Sequence, residues 1–211
     1  NETVLHGFRG AATFRLYAQV VIQILDKTAL RARLRALRRR LADAHPDAAR
    51  QAADGLPLDR LPPFNVFSGY VALGGEIDPA PLMTRLKATG AQAALPFAAS
   101  REQALRFRRW DGGVVLEPDA FGIPSPPASA PIVRPELVIA PLLAFDRRGG
   151  RLGQGAGHYD RTLENLRAAG RVFVLGLGYA GQEVEAIPME PHDQRLDAIL
   201  TETGYIEIGQ D

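Results

Sequence analysis

From Arg151 to Asp160 the sequence runs Arg-Leu-Gly-Gln-Gly-Ala-Gly-His-Tyr-Asp, preceded by Ala144-Phe145-Asp146-Arg147-Arg148-Gly149-Gly150. Gly153, Gly155 and Gly157 fall at alternate positions, so their backbone N–H groups can close on an anion without a Cβ in the way. The segment follows a short apolar run, Leu137 to Ala140, and opens a stretch of helical character from about His158 to Ala169, with Gly170 as its end. A helix start adds free donors and a partial positive charge at the same place. Arg151 could add a charged fork for phosphate. The chemistry suggested is therefore seating of a phosphorylated ligand, with a flexible glycine-rich turn as the plain alternative. No Gly-Lys-Ser/Thr follows, so this is not a Walker loop.

A second glycine pattern competes. Gly176-Leu177-Gly178-Tyr179-Ala180-Gly181 matches Gly-x-Gly-x-x-Gly and follows a strand-like run, Arg171 to Leu175. A dinucleotide fingerprint needs a long helix next, within a βαβ unit. Pro188 and Pro191 arrive too soon for one. A nicotinamide-dependent oxidoreductase is the weaker reading.

These residues need a scaffold, and the sequence outlines one. Leu30, Leu34, Leu37 and Leu41 recur at helical spacing and predict a helix over 27–42, with Arg31, Arg33, Arg35, Arg38, Arg39 and Arg40 on its other faces. A short helix is expected over 48–54. Val66 to Leu73 reads as a buried strand ended by Gly74-Gly75. Asp78-Pro79 reads as a helix start, with that helix running to about Thr89 and Gly90. Gln92 to Phe97, Leu105 to Trp110 and Ala198 to Thr201 are further strand candidates, and the proline-rich stretch from Pro124 to Pro135 is an extended loop. Helices alternate with continuously apolar strands. That pattern predicts an α/β fold with a mostly parallel open sheet and helices on both faces, a Rossmann-like three-layer architecture.

Bulk properties narrow the function classes. The 211 residues, 46% of them hydrophobic, suit one domain over 27–211, behind a leading segment 1–26 of unassigned role. That segment lacks the pattern of a signal peptide, and no apolar run is long enough to span a bilayer as a helix. With 25 Lys and Arg against 24 Asp and Glu, a general affinity for nucleic acid or anionic membrane is not expected. There is no cysteine, which removes thiolate metal sites, disulfides and a cysteine nucleophile. Histidine spacings give no zinc-site pattern.

The glycine block resembles the signature of the 5-formyltetrahydrofolate cyclo-ligase family: Pro-x-x-Ala-Phe-Asp, then Gly-x-Arg-Leu-Gly-x-Gly-x-Gly-x-Tyr-Asp. Pro141, Ala144, Phe145, Asp146, Gly150, Arg151, Leu152, Gly153, Gly155, Gly157, Tyr159 and Asp160 match it in order. Lys27 and Arg31 on a basic helix, the turn Gly75-Glu76-Ile77-Asp78, the block Phe107, Trp110 and Phe121 to Pro126, and His192-Asp193 with Asp197 agree with further family segments. The resemblance covers about residues 27 to 204. Gln154, Ala156 and His158 stand where relatives often carry Tyr or a basic residue, Gly or a basic residue, and Tyr.

The resemblance implies conversion of 5-formyltetrahydrofolate and ATP to 5,10-methenyltetrahydrofolate, ADP and phosphate, with magnesium, in a cytoplasmic monomer. It implies ATP contacts from Lys27, Arg31 and the whole run Arg151, Leu152, Gly153, Gln154, Gly155, Ala156, Gly157, His158, Tyr159 and Asp160. Arg151 and Tyr159 would act in catalysis. Glu76, Phe107, Trp110 and Tyr159 would line the folate side, and Asp160 and Asp193 would hold the metal. For His192, orienting Asp193 and merely filling surface are both open. Arg33, Arg38 and Arg40 are expected on a solvated helix face. A diverged paralogue that binds nucleotide or folate without turnover is the alternative.

Overall fold

The structure is a computed structural model that describes residues 28–209. Lys27 and the leading segment lie outside the described residues. An eight-stranded sheet forms the middle layer, in the order β12-β11-β10-β7-β1-β2-β3-β6. Its five central strands are parallel: β11 (Ala198–Thr201), β10 (Phe173–Leu177), β7 (Leu137–Pro141), β1 (Val66–Ser68) and β2 (Gln92–Phe97). Antiparallel strands close both sides, β12 (Gly204–Glu207) on one and β3 (Arg106–Arg109) with β6 (Ile132–Val133) on the other.

The central strands read as continuous apolar runs because both faces are covered. Leu137 and Ile139 of β7 pack on one face with Phe67, Leu175, Leu177, Ala198 and Leu200. Val138 and Ala140 pack on the other with Val174, Ile199 and Leu163. Side chains alternate sides along a strand, so each neighbouring pair of residues feeds both cores. The first face carries α2 (Ala48–Gly55) and α3 (Ala80–Lys87), through Ala52, Leu82 and Leu86. The second carries α4 (His158–Ala169), through Leu163 and Leu166. Helix α1, described over 28–44, buries Leu34 and rests Leu37 and Leu41 on the body, whereas Leu30 is exposed.

Crossovers between parallel strands are right-handed. The chain steps from β1 through α3 to β2 in one direction, and from β7 through α4 to β10 in the other. With one handedness and opposite directions, the two helices must lie on opposite faces. The junction between β1 and β7 is thus the switch point, where loops after the strands splay apart and leave a crevice.

Several element limits differ from the sequence expectations. β1 stops at Ser68 rather than at Leu73. Gly69 donates the last ladder bond, to Ala94 O at 3.0 Å, and a Cβ there would sit 2.2 Å from Met83 Sδ. Past it the chain leaves the sheet, buries Tyr70, and turns back through Gly74 and Gly75 at φ 56° and 82°. Inside the glycine block, β8 (Ala144–Phe145) and β9 (Arg151–Leu152) form a small hairpin. Short strands β4 (Glu117–Pro118) and β5 (Pro124–Ser125) pair with each other in the loop past β3. α3 begins at Ala80 with Pro79, not the expected Asp78, at its N-cap position, and Asp78 Oδ1 accepts from Ala80 N at 2.9 Å just ahead of it. Among the described residues, no helix is long and apolar enough to cross a membrane.

Candidate active site

The glycine block is shaped by Asp146. The residue is 1% exposed, and its side chain accepts from three backbone N–H groups: Arg148 and Gly150 at 2.9 Å each, and Ile187 at 2.7 Å. Burial pushes its carboxyl upward, but the donors at Ile187, Gly150 and Arg148 together hold it below the ordinary carboxylate range. Gly150 has no room for a side chain, since a Cβ would lie 2.7 Å from Asp146 Oδ2. The carboxylate therefore fixes the turn of the β8–β9 hairpin, and the hairpin delivers Arg151.

Arg151 is buried, and its Nη2 donates to Asp160 Oδ1 at 3.0 Å. Its guanidinium lies 5.4 Å from the Tyr159 ring centre. Asp160 Oδ1 also accepts from Gln194 N at 3.2 Å. Between Arg151 and the first turn of α4 run residues 153–157. Gly155 and Gly157 hold φ of 101° and 67°, which favours glycine. From α1, Arg31 Nε donates to Gly153 O at 3.2 Å and Arg35 Nε to Gln154 Oε1 at 2.8 Å. The backbone N–H groups of residues 153–157 have no acceptor among the described residues. They gather at the N-terminal end of a 12-residue helix, which gives an anion cradle both dipole and donors.

A cleft of about 850 Å³ opens over this loop, beyond the ends of β1, β2 and β7. One wall holds Arg31, Arg151, the glycine loop, Asp160, His192 and Asp193. The segments after β1 and at the end of β2 add Tyr70, Glu76, Pro96 and Phe97 as the other side, and Phe121 meets the glycine block through His158, ring centres 5.7 Å apart. Glu76 is nearly buried and pairs with Arg38 at 2.9 Å, while its Oε2 accepts from Leu73 N at 3.0 Å. Burial raises the Tyr159 hydroxyl well above its ordinary range, the charge of Glu76 adds to this, and Arg151 opposes it. Tyr159 is therefore a neutral phenol that can donate.

These observations have counterparts in known proteins. Residues 23–202 match the model of the 5-formyltetrahydrofolate cyclo-ligase family. The chain belongs to that family. A 5-formyltetrahydrofolate cyclo-ligase of Mycolicibacterium smegmatis is 30% identical over 183 residues, covering 83% of this chain and 91% of the relative. One from Escherichia coli K12 is 33% identical over 140 residues, 63% of this chain and 75% of the relative. Among solved structures, 5,10-methenyltetrahydrofolate synthetase of Aquifex aeolicus superposes with a TM-score of 0.70 at 25% identity, covering 88% of this chain and 94% of that one.

Within this cyclo-ligase-family cleft the sequence expectations divide. Arg31, Glu76, Arg151, the run Leu152 to Asp160, and Asp193 all line it. Phe107 and Trp110 do not, contrary to expectation. Phe107 is buried in β3 opposite Pro96 and Val133, and Trp110 packs against the α2–α3 side of the core. The aromatic groups that reach the cleft are instead Phe97 and Phe121, with Tyr70 and Tyr159. Arg38 is not solvated: it is 3% exposed, with its guanidinium against Glu76 and three carbonyls. His192 is exposed on the rim, 3.8 Å from Asp193 Oδ1. His158 lines the cleft at half-burial, with Nδ1 3.1 Å from Gln103 O and its ring 5.7 Å from that of Phe121.

The rival glycine pattern resolves as packing. Gly178 ends the apolar run that includes β10, and only a 3-10 turn, Ala180–Gln182, follows. A Cβ at Gly176, Gly178 or Gly181 would come within 2.6 Å of Leu196, 2.7 Å of Leu142 and 2.8 Å of Leu41, respectively. These glycines let the strand end pass under its neighbours, and without a helix after them no dinucleotide cradle forms.

Proposed function

We propose that the chain converts 5-formyltetrahydrofolate and ATP to 5,10-methenyltetrahydrofolate, ADP and phosphate. The observation that carries the reading is the two-walled cleft: unpartnered amides and cations on one side, a held carboxylate among apolar groups on the other. A triphosphate fits the first wall, where Arg31, Arg151 and the N–H groups of residues 153–157 neutralise and orient it, with Lys27 assigned to the same role from the family resemblance. A pterin fits the second, its amino and ring N–H groups toward Glu76 and its rings against Pro96 and Phe97.

A formamide oxygen is a poor leaving group. Transfer of the γ-phosphoryl to it releases ADP and leaves an iminium phosphate, which N10 attacks as it gives up its proton. Phosphate then departs with the former formyl oxygen, and the ring is closed. Phosphoryl transfer needs alignment and charge neutralisation more than covalent help. Arg151, pre-oriented by Asp160, spreads the charge on the phosphoryl oxygens, and neutral Tyr159 donates toward the formyl group. Magnesium suits the acids present. Asp160 Oδ2 and Asp193 Oδ1 take no hydrogen bond among the described residues, and this hard ion prefers oxygen ligands. Among the described residues no three acidic, histidine or cysteine side chains are arranged to hold a metal ion by themselves. Phosphate and water would complete the ion's shell, and its chemistry there is charge neutralisation. We propose a cytoplasmic monomer with no nucleic-acid partner.

The test incubates the protein with 5-formyltetrahydrofolate, ATP and magnesium, and follows methenyl absorbance and ADP together. Stoichiometric formation of both is expected. ATP binding without turnover of the formyl substrate would overturn the reading in favour of a binding paralogue.

A further inference from the structure

We infer that Arg38 is the positioning residue for the folate side of the cleft, holding Glu76 and the turn that bears it. This rests on the proposed folate role of Glu76 and extends it to a residue on a different element.

Arg38 sits on α1, and its side chain is 4% exposed. A buried guanidinium is costly unless its donors are met. Here Nη1 and Nη2 are met by one turn and one strand end, while Nε is buried without a partner among the described residues. Nη1 donates to Glu76 Oε1 at 2.9 Å and to Leu142 O, just past β7, at 3.3 Å. Nη2 donates to Leu73 O and Gly74 O, each at 3.2 Å. The fork thus grips the Glu76 carboxylate and the backbone that leads to it. The turn is otherwise held at its far end, where Tyr70 Oη donates to Ile77 O at 2.7 Å, and by its own Glu76 N to Leu73 O bond at 3.2 Å; among the described residues only Arg38 grips the Glu76 carboxylate from another element. The turn passes through two glycines at positive φ, and Leu73 is 46% exposed on the cleft. Glu76 contributes one further bond, Oε2 to Leu73 N. With Oε1 on Arg38 and Oε2 on Leu73 N, the carboxylate plane is set, and each oxygen keeps a second lone pair for N–H groups of a substrate.

A buried ion pair is weak evidence for stability, and its best-supported use is to specify geometry. Lysine cannot replace this grip, because a single ammonium cannot span both arms of the fork. Without Arg38, Glu76 should lose its orientation, while Arg31, Arg151 and the glycine loop keep theirs.

The test compares Arg38→Gln, Glu76→Gln and the double variant by steady-state kinetics with each substrate varied. Arg38→Gln is expected to raise KM for 5-formyltetrahydrofolate about tenfold or more, with KM for ATP within about twofold. The double variant should resemble Glu76→Gln alone, because Arg38 acts through that carboxylate. A drop in kcat or melting temperature with both KM values unchanged would mark Arg38 as merely structural and overturn the inference. So would additive effects in the double variant. If Glu76→Gln itself leaves the folate KM unchanged, the folate role of Glu76 falls first and this inference with it. If Glu76→Gln raises it and Arg38→Gln does not, only the role of Arg38 falls. Should Arg38→Gln fail to fold, Arg38→Lys decides: a severalfold rise in folate KM alone supports the role, and no change removes it.

Discussion

At the scale of single residues, Asp146 and Tyr159 show how burial and partners set what a group can do. Asp146 Oδ1 serves two backbone donors and Oδ2 a third. Asp146→Asn keeps the shape but must turn an NH2 toward either the Arg148 and Gly150 amides or the Ile187 amide. The loss is expected at about 1–3 kcal/mol, the cost of a buried donor left unpaired, and chemical denaturation measures it. The pH dependence has a definite sign. The folded-state pKa of Asp146 is depressed, so its contribution is present above its unfolded pKa of about 3.9 and lost as pH falls through the lower folded value. Wild-type protein should therefore lose stability below about pH 4 more steeply than Asp146→Asn. Equal slopes would mean that the three amides do not favour the charged form. Tyr159 is shifted the other way, upward by burial and by Glu76. Activity should then show no phenolate limb near the ordinary tyrosine value of about 10. Tyr159→Phe should lower kcat by roughly 10²-fold or more if the hydroxyl donates in the transition state. A phenol serving only as packing would leave kcat nearly intact.

At the scale of elements, legibility followed pattern length. The strands over 92–97 and 198–201 and the helix over 158–169 match their sequence expectations residue for residue, because each is a clean apolar or amphipathic run between turn signals. The strand expected over 66–73 is cut short, since Val71 and Leu73 line the cleft and Val71 and Ala72 rest on the core without joining the sheet. The β8–β9 hairpin has two residues per strand and leaves no period to read. Arg38 was hidden by its neighbours. On an arginine-rich helix the buried one is decided by what packs against the helix, and propensity is blind to that. Gly176 to Gly181 is the converse case, a motif fully legible and misleading. Its glycines are spacers, so Gly178→Ala should crowd Leu142 and the buried Gln182 and cost about 1–3 kcal/mol. Nicotinamide nucleotides should not raise the melting temperature of wild-type protein. A specific rise abolished by Gly178→Ala would revive the dinucleotide reading.

At the scale of the whole molecule, the cleft is a consequence of topology. The crossovers step away in opposite directions from the parallel pair β1 and β7, so the two sides of the cleft come from different halves of the fold. The turn bearing Glu76 follows β1, and the glycine loop with Asp160 follows β7. Continuous apolar strands foretold the layers. The sequence does not say which loops meet, because that depends on strand order. A ligand that requires both loops in place binds only the folded state and stabilises it by mass action. At one hundred times its Kd, a single ligand adds about 2.7 kcal/mol. For a chain of this size that corresponds to a rise of roughly 5–11 °C in melting temperature. A non-hydrolysable ATP analogue with magnesium and 5-formyltetrahydrofolate should each give a rise of this order. Asp160→Ala with Asp193→Ala should cut the magnesium-dependent part of the nucleotide shift and leave the folate shift standing. Asp160 also steadies Arg151, so some nucleotide affinity should go even without magnesium. The metal assignment therefore rests on the difference between shifts with and without the ion. If the double variant keeps that difference, the ion is held elsewhere. If it loses the folate shift as well, the two walls do not bind independently, and the division of the cleft into a nucleotide side and a folate side is wrong.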